Sequence, residues 1–582
     1  MSQIQGWSAR RLRLMNALHA RRAGRVKLTT AFQSPPEPRT IGSHLRGKQL
    51  MAGNFLIGGN LVKAPLQSIW AVRAPDLAFA RAVHGFGWLD DLAAFGTSAA
   101  RARAQDWCLE WIARFGTGTG PGWVPDLTGR RLIRLISQGQ FLLAGPDSAA
   151  NAAFFASLAQ QVLFLSRRWH VAPAGLPRFE ALVGLIIAGL GLHGMEAMVA
   201  PATTALAQEC TFQIDVEGGI ATRNPEELLE VFTLLTWAAS SLAEAGWMPP
   251  RDHLAAIERI APTLRALRHA DGGLARFHGG GRGAAGRLDQ ALAASGVRAA
   301  ANTGLAMGYA RLSEGRTSVI VDASPPPNGT ASAQAHASTL AFELTSGRRP
   351  LIVSCGSGAP FGPDWGRAGR ATASHSTLAI EGFSSSRLAP TRRIGGLNAE
   401  MLVDLPGKVN AQRATGPQGI SLIAGHDGYL ATHGLTHVRR LHLSFDGRAL
   451  TGEDTLGAMT EADRKLFDRV VQRSGKPGVR YRIRFHLHPD VDAALDMGGA
   501  AVSLALKSGE VWVFRAHGGI LISLESSVYL EKNRLEPRGT KQIVLMADVI
   551  DYASQVSWTL AKAHATPQGL RDLEPDARQG LD

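Results

Sequence analysis

The hydrophobic rhythm of this chain changes once, near Tyr309, and that change limits the folds open to it. From Ser68 to about Ala310, apolar residues recur every third or fourth position, the spacing that lines one face of a helix. The segments with this spacing are 75–84, 99–115, 129–143, 149–170, 179–192, 196–212, 225–245 and 251–269, separated by loops carrying Gly, Pro or Asp. Beyond Tyr309 the spacing is two. Runs at 317–322, 339–344, 350–353, 376–380, 420–424, 437–445, 479–488, 511–516, 520–525 and 542–547 read as strands with one buried face. Long helices without intervening strands predict a bundle, a solenoid or an (α/α) toroid, and the lack of a repeat of fixed period argues against a solenoid. Short strands between turn residues predict an antiparallel sandwich. The expectation is an α+β multidomain chain. A basic segment, 1–60, irregular apart from one short helix, precedes a helical domain, 61–308. An antiparallel β domain, 309–565, and a polar tail, 566–582, follow.

Composition narrows the class of partner. At 582 residues the chain exceeds one ordinary core, and 45% hydrophobic with 19% charged residues excludes a disordered chain. A net charge of +14 points to an anionic partner: acidic polysaccharide, nucleic acid or a membrane surface. No RNA- or DNA-binding module is legible and the basic residues are scattered, so nucleic acid is not expected. Cys108, Cys210 and Cys355 are odd in number and far apart, which implies no disulfide framework. Residues 1–32 are basic and partly amphipathic, compatible with contact at a membrane surface. They contain no apolar run of signal-peptide length, so the default compartment is the cytoplasm. The most apolar window, 181–192, is too short to span a bilayer and reads as a buried helix; no transmembrane segment is expected.

Residues 331–382 gather chemistry-bearing side chains. Gly347-Arg348-Arg349 separates the first two alternating runs there, as in a hairpin. His336 opens the first run, Cys355 closes the second and His375 opens the third. Antiparallel neighbours can bring these side chains to one end of a sheet, where they would suit a metal or proton-transfer site; otherwise they are unrelated residues at strand edges.

This stretch resembles the heparinase II/III-like family of polysaccharide lyases. The family pattern opens a strand with His-x-His-x-Asp, ends a second in Asp or Asn before Gly, and opens a third with His-Asn-Thr or His-Ser-Thr. The counterparts are Gln334-Ala335-His336-Ala337-Ser338, Ser354-Cys355-Gly356 and His375-Ser376-Thr377. Loops at 84–89, 217–225 and 271–279 are similar in kind to those of the family's helical domain. The resemblance covers most of 50–565 and implies an (α/α) toroid followed by a β-sandwich. It also implies an acidic glycan bound in a groove between the domains and cleaved by β-elimination. In the family, residues matching His336, Ser354 and His375 hold a structural zinc; Cys355, beside Ser354, is the better ligand here if a bulge turns it inward. Lyases of this family are often exported, which makes the periplasm the alternative compartment.

Elimination needs a group that neutralises the uronate carboxylate, a base for the C5 proton and an acid for the leaving oxygen. The family's first histidine is Gln334 here. Its Asn falls near Arg178 or Phe179, and its Tyr falls within Asn224-Pro225-Glu226-Glu227, where there is none. Arg178, Asn224 and Gln334 remain as substrate-binding candidates. Gly425-His426-Asp427-Gly428-Tyr429, followed by His437, Arg439 and Arg440, resembles another family segment. His426 and Tyr429 would form a base–acid pair, with His375 as a further base, and Arg440 would hold a carboxylate. Alternatively, His426 and Asp427 close a tight turn. His486 and His488 share a strand face, a metal-binding geometry without a third ligand in view. Gly279–Gly283 reads as a flexible loop rather than a phosphate loop. Two functions therefore stand: a lyase acting on an acidic glycan, and a non-catalytic glycan-binding or cell-envelope assembly protein on the same fold.

Overall fold

The computed structural model describes residues 2–26, 30–143, 148–298, 304–394, 397–532 and 534–563. These form two compact units. One holds the described residues of 1–216, 230–259 and 393–398, the other those of 217–229, 260–392 and 399–582.

The first unit is helical. Its longer helices are Ser2–Gly24, Ser98–Phe115, Pro125–Ser137, Ser148–Arg168, Leu176–Gly191 and Val199–Gln213. Local chemistry sets their ends. Thr97 accepts a hydrogen bond from the Ala100 amide and so caps Ser98–Phe115. Pro125 starts the next helix without losing a bond, because the first turn has no acceptor for its missing N–H. The long helix at Ser2–Gly24 corrects the expectation of a largely irregular basic segment; its repeated arginines hide the helical period. A hairpin, Asn54–Ile57 with Asn60–Lys63, was also not foreseen. The segment Ala149–Val171 is long and apolar enough to cross a membrane by length and composition. In this fold its Leu158, Val162, Phe164 and Leu165 are buried in the helical core.

Pro125–Ser137 and Leu176–Gly191 cross at glycine. A Cβ on Gly184 would lie 2.5 Å from the Gly129 Cα, and one on Gly129 would lie 2.1 Å from the Glu180 carbonyl oxygen. Both contacts are with backbone, which cannot swing aside. Gly184→Ala should therefore destabilise the helical unit by about 1–3 kcal/mol, read as a lower urea midpoint at unchanged slope.

The second unit is built on two antiparallel sheets. One runs, edge to edge, Val409–Gly416, Gly419–Tyr429, Leu435–Ser444, Ala449–Gly457, Ala553–Lys562, Val511–Ala516, Ala501–Leu506 and Val491–Asp496. The other runs Ile522–Tyr529, Arg538–Val549, Val479–Leu487, Arg349–Val353, Phe342–Ser346, Thr317–Asp322 and Tyr309–Glu314, with Leu378–Ile380 also pairing Val479–Leu487. Their inner faces share one core, in which Phe342 stacks on Trp558 at 6.0 Å and Phe485 meets Trp558 edge-on at 4.8 Å. Residues 260–298, expected with the helices, pack in this unit. The strand Ala449–Gly457 was not anticipated; Gly452 and its acidic neighbours break up the apolar alternation. Gly452 is required by packing: a Cβ there would lie 2.0 Å from the Trp558 ring.

Candidate functional site

Two tight turns bring His336 and His375 together. His336 follows the 3₁₀ turn Gly329–Gln334 and His375 follows Thr372–Ser374. Their rings meet with Nδ1 of His336 3.2 Å from Nε2 of His375. The approach expected from the strand-end positions is thus present, on one side of the sheet. The His336 amide donates to Nδ1 of His278 at 3.2 Å, which leaves Nε2 of His278 facing Asp322 at 3.4 Å. Asp322 ends its strand and is fully buried. It accepts from Arg223 at 2.6 Å and from the Ser338 hydroxyl at 2.7 Å. Arg223 also donates to the carbonyls of Met307, Gly308 and Pro325, and its guanidinium lies 4.7 Å from the Tyr309 ring centroid.

This burial sets the protonation states. Desolvation, joined by the neighbouring His486, pushes His375 down to about 3. Desolvation also holds His336 well below its ordinary 6.5, with His375, His278, Arg370 and Lys532 adding to it. Asp322 is lowered despite its burial, because Arg223 and His278 outweigh desolvation. At neutral pH the two imidazoles are neutral beside a carboxylate that is ionised.

Around this core lies a strip with more exposure. Gln334 is exposed. A Cβ on Gly279 would lie 3.2 Å from the Gln334 Cβ, and one on Gly280 would lie 2.6 Å from Oδ1 of Asn224. The glycine run noted in the sequence is therefore a close-packed backbone floor. Asn224 caps the helix Pro225–Glu244 by accepting from the amides of Glu226 and Glu227 at 3.0 and 3.2 Å. Glu226 accepts from the Gly281 amide at 2.8 Å and pairs with Lys532.

Cys355 is turned elsewhere. Its Sγ lies 3.5 Å from Nδ1 of His486 and 3.9 Å from the Ser527 hydroxyl. Burial opposes the thiolate, but His486, Ser527 and Arg276 outweigh it and hold the thiol below its ordinary 9.0. His486 itself spans Ser527 at 2.8 Å and the Ala373 carbonyl at 3.0 Å. A structural zinc needs four donors, of which His336 and His375 offer two; Ser354 carries only a neutral hydroxyl. Among the described residues no group of three or more His, Cys, Asp or Glu is gathered to hold a metal. The donor set proposed from His336, Cys355 and His375 does not fit a zinc, because Cys355 is committed to the His486 side.

The pair His426 and Tyr429 lies in the sandwich core. Both rings are buried, and the Tyr429 hydroxyl donates to the Leu378 carbonyl at 3.1 Å. The Gly428 amide donates to Nδ1 of His426, so Nε2–H of His426 points at Nδ1 of His437, 3.2 Å away. His437 then donates through Nε2 to Asp454 at 2.8 Å. Arg439 and the Trp558 indole complete the shell of Asp454. This is a satisfied polar network, closed to a polymer.

The remaining candidates stand apart. Arg178 belongs to the helical unit, where it donates to Glu209 at 3.1 Å and to the Ala172 carbonyl at 3.0 Å. Arg440 is exposed on its strand and reaches Glu453 only at 3.7 Å. Sequence reasoning missed Arg223, Glu226, His278, Asp322 and Lys532. Asp322 had a legible position, a carboxylate closing an apolar strand; Lys532 sits in a turn without any signal.

Known proteins share this architecture. Residues 296–559 match the family described as Heparinase II/III-like, C-terminal. FtsZ-localized protein C of Caulobacter vibrioides is 30% identical over 537 residues, covering 91% of this chain and 90% of that protein. A heparinase III structure covers 94% of this chain and 89% of its own, with a TM-score of 0.68 at 13% identity. A heparan sulfate lyase HepC mutant from Pedobacter heparinus covers 96% and 89%, with a TM-score of 0.56 at 14% identity. At such identities the structures establish the fold: an (α/α) toroid followed by an antiparallel β-sandwich.

Proposed function

The chain belongs to the heparinase II/III-like family, and on that premise we propose that it holds an acidic, uronate-containing glycan without cleaving it. One observation carries this reading: His375, His426 and Tyr429, the candidate base and acid groups, are all enclosed. Tyr309, Tyr429, Tyr481 and Tyr529 are buried, and the hydroxyls of Tyr309 and Tyr429 are spent on backbone carbonyls. Gln334, which stands at the family's first histidine, is exposed but is an amide with no useful proton affinity. The positive net charge and the strip of Gln334, Asn224 and Lys532 suit retention of a polyanion. The Caulobacter vibrioides relative is named as FtsZ-localized, and by extension this chain would share that localisation.

The test is to mix the protein with heparan-, alginate- and exopolysaccharide-type polymers, measuring binding and near-ultraviolet absorbance together. Salt-sensitive binding without the absorbance of an unsaturated uronate is expected. Absorbance that rises with time would overturn the reading. Elimination keeps one specific support, the approach of His336 Nδ1 to His375 Nε2 at 3.2 Å, although burial makes both imidazoles weak bases. Under that second reading, product would form and His336→Ala or His375→Ala would abolish it in a folded protein.

A further inference from the structure

We propose that Lys532 is the cation that receives a carboxylate of the bound polymer, and that Glu226 occupies it until the polymer arrives. This assignment deepens the glycan-holding reading and rests on it. Glu226 is held from two sides: the Gly281 amide donates to the same oxygen that meets Lys532, and the residue lies in the first turn of Pro225–Glu244, where the helix end favours negative charge. Lys532 sits on a turn, with a long and flexible stem. The carboxylate is therefore the fixed member of the pair and the ammonium the movable one.

The pair is open to solvent, with side-chain exposures of 34% for Lys532 and 26% for Glu226. Ion pairs of this exposure are weak, so a carboxylate presented in a polymer can exchange for Glu226 with little loss. Arg282, in the glycine run, is paired with Asp271 at 2.9 Å, and three buried neighbouring cations lack this freedom. Arg223 is bound to Asp322 and to backbone carbonyls, and Arg370 donates to the carbonyls of Ala335, Ser332 and Glu400. Arg276 donates to the carbonyls of Cys355 and Leu530 and lies 4.1 Å from the Tyr529 ring centroid. All three are buried.

Position supports the assignment. Lys532 packs its stem near Gly281, where a Cβ would come within 3.5 Å of it, and its charge helps keep His336 neutral. It therefore stands beside the glycine floor that Gln334 and Asn224 flank. A polymer laid on that floor would meet amide groups at Gln334 and Asn224 and one releasable positive charge at Lys532.

The experiment uses the full chain and a fluorescein-labelled heparan-type polymer, followed by anisotropy. Lys532→Gln should weaken binding roughly tenfold, while Lys532→Arg should retain most of it. Glu226→Gln should tighten binding roughly threefold, since it removes the internal competitor. A merely structural ion pair would instead make both neutral variants weaker binders. The carboxyl-reduced polymer, which needs no variant, should bind the wild type as poorly as the native polymer binds Lys532→Gln. Wild-type binding that is unchanged by Lys532→Gln and by carboxyl reduction overturns the assignment alone. Weaker binding by Glu226→Gln in a protein of unchanged melting temperature also overturns it. If neither the wild type nor Glu226→Gln binds any carboxylated polymer, the glycan-holding reading falls and the assignment falls with it.

Discussion

Asp454→Ala is expected to lower the stability of the sheet unit by about 3–5 kcal/mol, the usual loss when one partner of a buried ion pair is removed. Asp454 is wholly buried and Arg439 nearly so. Arg439 donates to both Asp454 oxygens, at 2.7 and 3.1 Å, while His437 and the Trp558 indole donate at 2.8 and 3.0 Å. Removing the carboxylate leaves a guanidinium without its countercharge and two buried donors without an acceptor. Arg439 also donates to the carbonyls of Leu340 and Ser376, tying its own strand to the segments beside the second sheet. Urea denaturation followed by tryptophan fluorescence would read the loss, because Trp558 lies in the network. Glu453→Gln, one residue away, should change little, since its contacts with Arg440 at 3.7 Å and with Gln555 at 2.8 Å are exposed. A loss below about 1 kcal/mol for Asp454→Ala would contradict this description.

Mild acid should destabilise the sheet unit steeply. His375 has a folded pKa of about 3 against an ordinary 6.5, mainly through desolvation. His336 and His426 are also held well below 6.5, mainly by desolvation and then by a neighbouring histidine. The neutral ring is the form that folds. Stability is therefore complete above pH 6.5 and falls as the pH drops toward the folded values. His375 alone accounts for about 1.4 kcal/mol per pH unit, or about 2 kcal/mol by pH 5. The helical unit has opposing groups: burial raises Glu180 to about 7 and Asp91 to about 6, so acid relieves them. Its own buried His84 and His253, at about 3 and 4, are thus partly offset. Hydrogen exchange at pH 7 and pH 5 should show protection lost first in the strands around His336 and His426. Loss confined to the helices would refute the assignment of neutral, buried imidazoles.

The sequence made these two regions legible to different degrees. Helices announced themselves through period and punctuation: the expected 99–115 is Ser98–Phe115, and 251–269 is Arg251–Ala266. Ser2–Gly24 escaped because arginine falls on several faces of it. Strand runs with apolar alternation were readable. Val409–Gly416 was not, because it lies at a sheet edge and is mostly exposed. The meeting of His336 and His375 followed from their places at strand ends. The role of His426 did not, because His426 is tied through His437 to Asp454, on a strand that shows no clear apolar alternation. Lys532 and Glu226 are 306 positions apart, and no local pattern couples them.

The measurement that bears most directly on the proposed function is the length of the polymer itself. A carboxylated glycan of narrow size range is incubated with a stoichiometric amount of the protein, then released by salt and sized by gel filtration. The glycan-holding function requires an early-eluting complex before salt and the original length after it. Shorter fragments carrying unsaturated ends would show that this family member cleaves and would contradict the glycan-holding function.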